Sequence, residues 1–114
     1  MADNLDTNPI IIDLNSPITA RTIRDAVRSI GDYTTPDVGR IKSIRINGTA
    51  GAGLGTIVLH SHSASGPEIF KLIVPAASEH DGTVTELDVD FRGIYMDAVA
   101  VAWVSGARMY IYLE

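Results

Sequence analysis

His60-Ser61-His62 is the part of this sequence best equipped for chemistry. Two histidines separated by one residue share a face of a β-strand, so both imidazoles can reach one metal ion. Glu68 and His80 are the candidate further ligands, because zinc-type sites accept carboxylate oxygen and imidazole nitrogen together. A second set, Glu86, Asp88 and Asp90, alternates with Leu87, Val89 and Phe91. Carboxylates on one face can do acid–base work or hold calcium. If the apolar set is buried, however, the carboxylates face water and guard a strand against unwanted pairing. An acidic row also suits a basic partner.

The histidine pair is similar to the first motif of the cupins, in which a glycine precedes a His-x-His pair and a glutamate follows it. It departs from that motif in spacing: five residues separate His62 from Glu68 where the motif has three or four, and neither Gly53 nor Gly55 stands at the expected distance. No stretch around His80 matches the second motif. That resemblance would make the chain a metal-binding protein. The competing reading of His60 and His62 is a solvated pair at the junction of a strand and a loop.

Other features point away from catalysis. Gly51, Gly53 and Gly55 alternate as in some phosphate loops, but the residues that follow, Thr56-Ile57-Val58-Leu59, read as a strand and not as the helix that anion binding needs. A flexible link between strands is the simpler reading. Serines 61, 63, 65, 78 and 105 lack a nucleophile-elbow context. Asn47-Gly48-Thr49 is a formal glycosylation sequon that also reads as a turn ending a strand. No catalytic set, cofactor site or metal site is assigned.

The elements that would carry these residues are mostly strands. Ile10-Ile11-Ile12 opens a β run after a polar N-terminal arm over residues 1–9. Ser16-Pro17 is a favourable helix start, and Ile23, Ala26, Val27 and Ile30 form an i, i+3, i+4, i+7 stripe. The spacing predicts one amphipathic helix over about 17–30, stopped at Gly31, with Arg21, Arg24 and Arg28 on its opposite face. Asp32 to Gly39 reads as a turn-rich link. From about Ile41 onward strands are expected at 44–46, 56–61, 69–74, 83–91 and 99–103, with a Ser105-Gly106 hairpin turn before an alternating strand over 109–113. Six or seven short strands, with no helices between them, predict an antiparallel β-sandwich or jelly roll.

Composition fits one domain over 10–114. The chain has 114 residues, 46% of them hydrophobic, and no cysteine, so disulfides and thiolate metal sites are impossible. The net charge of −5 disfavours nucleic-acid backbones and anionic membrane surfaces. The longest apolar run, Ala98–Val104, is far short of the roughly 18 residues that cross a bilayer. The acidic start, Met1 to Asp6, is unlike a secretory signal. A domain of this size without staples gains from burying surface in an oligomer. Leu5 and Ile10 near the start, Arg21, Arg24 and Arg28, and the aromatics Tyr95, Tyr110 and Tyr112 are the candidate contact residues. Trp103 and Tyr95 also suit stacking on a sugar.

One broader resemblance covers residues 41–114. A strand ending Ile44-Arg45-Ile46-Asn47-Gly48-Thr49 precedes a Gly/Ala-rich loop and Thr56-Ile57-Val58-Leu59-His60-Ser61. Gly66-Pro67-Glu68-Ile69-Phe70 then leads a strand, Leu87-Asp88-Val89-Asp90-Phe91 follows, and Gly93-Ile94-Tyr95-Met96 precedes the closing hairpin. This pattern resembles small all-β structural proteins of tailed bacteriophages. The resemblance implies a non-enzymatic virion component, on the capsid surface as a decoration or cement protein, assembled in the host cytoplasm. Its implied partners are copies of itself, in a symmetric homo-oligomer such as a trimer, and the major capsid protein. A tail, neck or fibre component is the alternative within that resemblance.

Overall fold

Alternation of apolar and polar residues, with period two, organises nearly the whole molecule. A computed structural model describes residues 7–15, 20–84, 89–98 and 103–114, and 67% of these are strand while none is helix. The expected Leu5 contact, the Ser16-Pro17 cap, Glu86, Leu87 and Asp88, and the first residues of the run at 99–103 lie outside the described residues. The strands are β1 Ile10–Asp13, β2 Ala20–Arg24, β3 Val27–Ile30, β4 Tyr33–Pro36, β5 Val38–Thr49, β6 Gly55–Ser61, β7 Glu68–Val74, β8 Glu79–Val84, β9 Val89–Arg92, β10 Ile94–Ala98 and β11 Arg108–Leu113.

Every pairing is antiparallel. One sheet has the order β1-β11-β5-β8, with β9 also on β5, and a second has the order β2-β10-β6-β7. The twelve-residue β5 is shared along one edge: its first residues pair with β9 (Gly39 with Phe91) and its last with β8 (Gly48 with His80). The chain passes from one sheet to the other between β1 and β2, β5 and β6, β7 and β8, β9 and β10, and β10 and β11, and it returns from β2 to β5 by way of the separate β3–β4 hairpin. Both sheets feed one buried cluster. The first contributes Ile10, Ile12, Ile44, Ile46, Met109 and Ile111, and the second Ile23, Ile57, Leu59, Phe70, Ile94 and Met96. Alternation in β6 and β11 is regular because each of these strands keeps one face on that core.

The helix expected over 17–30 is replaced by β2 and β3. Of the stripe residues whose burial is described, Ile23 is in the core, Ala26 is half-buried and Val27 is 42% exposed. Thr22 and Ile23 are β-branched and fit a pleated strand, and pairing with β10 sets Tyr95 against Thr22 and Met96 against Arg21. A helical period in the sequence thus yields to strand pairing with a partner more than seventy residues away. Gly31 does not cap a helix: at φ 60° it takes the first position of the two-residue turn between β3 and β4, where a type II′ turn places glycine. The expected link over Asp32–Gly39 is therefore β4 and the start of β5.

Two smaller corrections concern β5. Asn47-Gly48-Thr49 continues the strand where a turn was expected. A Cβ on Gly48 would lie 2.4 Å from that of Ala107, so glycine here admits the Val104–Ala107 turn against the strand. That turn does hold Ser105 and Gly106, with Gly106 at φ 97°. Trp103, however, bridges to Ala50 beyond the end of β5 and not to β11. Residues 7–9, the described part of the expected arm, are also tied down. Asn8 donates through Nδ2 to the Leu113 carbonyl and accepts the Leu113 N–H at 2.9 Å, which extends the β1–β11 ladder.

Candidate functional site

The histidine pair does not share a face. His60 lies on the outward side of β6, between Tyr95 of β10 and Glu68 of β7. Its Nδ1 and the Gly66 carbonyl are 2.9 Å apart, so Nδ1–H is the donor and the ring orientation is fixed. His62 lies one residue past the strand end, exposed, at φ 80°. That left-handed backbone breaks the two-residue alternation on which the shared face depended. His80 stands on β8 in the other sheet, opposite Gly48. Among the described residues no group of three or more His, Asp or Glu side chains converges. Of the loop glycines, Gly53 stands in open space. Gly51 accepts a hydrogen bond from Ala77, and a Cβ on Gly55 would meet the Trp103 ring at 2.9 Å.

Ser61, one of the five serines without a catalytic context, has an architectural role. It is buried, and its Oγ accepts the Arg92 N–H at 2.9 Å. This ties β6 to the point where the chain leaves the first sheet. One residue later Gly93, at φ 71°, turns the chain from β9 into β10, with its carbonyl accepting the His62 N–H. A Cβ on Gly93 would lie 2.7 Å from the Ala26 nitrogen. Position 93 therefore needs glycine for conformation and for space.

The outward face of the first sheet carries the aromatic candidates. Met109 and Ile111 are fully buried, so Tyr110 and Tyr112 point out, as alternation requires. Tyr110 is flanked by Ile11 of β1 and Arg45 of β5, and Tyr112 by Ser43. Both tyrosines are half-buried. Arg45 also contacts Asp81 at 3.2 Å, and Arg40 contacts Asp90 at 3.0 Å. Asp90 is exposed beside the buried Phe91, matching the expected split between the two faces of that segment. No family model, curated protein or solved structure matches this chain.

The remaining contact candidates divide. Ile10 is fully buried and has no surface to offer a partner, a consequence of its place opposite Ile111. Arg21 is half-buried and donates to the Asp13 carbonyl at 2.9 Å, stitching β2 to β1 across the edges of the two sheets. Arg24 is also half-buried, its Nε buried without a hydrogen-bond partner. Arg28 pairs with Thr35 in the β3–β4 hairpin, and its side chain is outside the described part. Tyr95 is half-buried on the outward face of the second sheet. Sequence reading passed over Asp13. Its carboxylate meets Arg108 at 3.4 Å, with side chains only 12% and 16% exposed, and accepts the Asn15 N–H. The only sequence signal was an acidic residue ending an isoleucine run.

Proposed function

We propose that this chain is a non-enzymatic structural component of a tailed-phage particle, a decoration or cement protein that binds the capsid lattice and itself. Its two sheets are read as the layers of a jelly-roll-like sandwich, because the chain crosses between them repeatedly over one shared core. The observation that carries the reading is the outward row of Ile11, Tyr110 and Arg45, with Tyr112 beside it. Tyrosine and arginine are the residues enriched where protein surfaces meet, because they present large area at low entropic cost and can still hydrogen-bond. An outward sheet face with such a row suits a broad, lattice-like partner better than a small ligand, which needs a concave site. The test is co-sedimentation with capsid shells of the virus that encodes the chain. Binding is expected for the wild type and loss of binding for the Tyr110→Ala, Tyr112→Ala double variant. Shells that pellet without the wild-type chain overturn the proposal.

A further inference from the structure

Every residue of β4, in the β3–β4 hairpin, is exposed. Val27 is 42% exposed and Tyr33 76%, and Thr34, Thr35 and Pro36 are exposed as well. Its strands pair only with each other among the described residues. A two-stranded hairpin by itself is at the margin of stability in water. Its root, however, is fixed. Asp37 N–H donates to the Ala26 carbonyl at 3.0 Å, and Gly93 N–H donates to the Asp37 carbonyl at 2.7 Å. The fold thus holds out an arm on a braced base.

The outer edge of that arm carries no charge, and its guards are its short length and Pro36. Free strand edges invite another chain to pair and are normally guarded by charge. Every other edge strand among the described residues carries a charged residue, such as Asp13 on β1, Lys71 on β7 and Asp90 on β9. β4 reads Tyr33-Thr34-Thr35-Pro36 and carries none. Its hydrogen-bonding pattern is also defined. Ile30 and Tyr33 flank a two-residue turn and so exchange backbone hydrogen bonds, as by alternation do Arg28 with Thr35 and Ala26 with Asp37. Thr34 falls between these pairs, which directs its N–H and C=O to the open edge. Pro36, the next outward position, has no N–H to leave unpaired.

We infer that β4 of one copy pairs antiparallel with β4 of a second copy, about a two-fold axis at Thr34, to make a four-stranded sheet from two arms. The two Thr34 residues then exchange N–H and C=O bonds, and each Tyr33 lies opposite the other copy's Thr35. Between Asp32 and Asp37 the strand is uncharged and its register is self-complementary, as an isologous contact needs. Threonine–threonine and aromatic–threonine pairs are favourable across strands. The contact is small, so it is weak in solution and is reinforced where other contacts hold the copies side by side. The inference rests on the self-association half of the reading above, not on the identity of the particle.

Charge exchange at position 34 tests it. Sedimentation equilibrium of the full chain over a concentration series should show wild-type dimerisation. Thr34→Lys and Thr34→Glu each set like charges opposite one another and should weaken dimerisation roughly fivefold, and an equimolar mixture of the two should restore it. Thr34 is exposed, so both variants keep the fold, which circular dichroism checks. A wild type that stays monomeric, single variants that associate as the wild type does, or a mixture that fails to recover each overturn the β4 pairing. Association that persists equally in both single variants leaves the assembly reading standing, because only the shell experiment decides that reading.

Discussion

At the scale of single residues, burial decides which charges matter. The Asp13–Arg108 pair is largely desolvated, and Asp13 also accepts the Asn15 N–H. Removing one partner leaves the other charge in a poorly solvated place, which costs about 3 kcal/mol in comparable pairs. Asp13→Ala should therefore lower the urea midpoint by an amount equivalent to roughly 3 kcal/mol. Asp90→Ala breaks the Arg40–Asp90 contact, whose side chains are 47% and 77% exposed, and should cost less than about 1 kcal/mol. Equal losses at the two sites would mean that Asp13 is as well solvated as Asp90. Gly93→Ala belongs to the same scale. It places a methyl group 2.7 Å from the Ala26 nitrogen at a φ that L-residues avoid, so a loss of about 1–3 kcal/mol is expected. Thermal unfolding of the variant measures it.

At the scale of elements, the segment over 20–30 is the informative one. A helix would bury Ile23, Ala26, Val27 and Ile30 together, whereas β2 buries Ile23 and β3 leaves Val27 42% exposed. Ile23→Ala should cost about 2–4 kcal/mol in chemical denaturation. Val27→Ala should stay within about 0.5 kcal/mol in the same measurement. Comparable losses at both would restore the helical stripe. The sequence misled here because the four apolar residues fit the helical period, which the pairing of Thr22 and Arg21 with distant β10 overrides. Where period two was unbroken, as in β6 and β11, strand, inward face and outward tyrosines were all legible beforehand. The β3–β4 arm was not, because its residues do not alternate cleanly between apolar and polar, and all four of β4 are exposed. The separation of His60 from His62 was also hidden, since it depends on a single backbone torsion at the strand end.

At the scale of the whole molecule, the two sheets hold no separate cores. Ile44 and Met109 of the first sheet and Leu59 and Met96 of the second belong to one buried cluster, and all four are almost entirely withdrawn from solvent. Neither sheet has another apolar face large enough to stand alone, so the sheets should unfold together in one cooperative step. Trp103, buried at the end of the first sheet, reports that step by fluorescence. Leu59→Ala lies on a central strand of the other sheet and deletes packing worth about 3 kcal/mol. If the core is shared, the Trp103 transition should fall by roughly 12–20 °C in that variant, and the far-ultraviolet signal should move with it. Ile44→Ala should shift both signals by a similar amount. A Trp103 transition that holds its temperature in Leu59→Ala while the far-ultraviolet signal falls would show two layers that melt independently. The connections that cross between the sheets would then be tethers between two units and not the seams of one core.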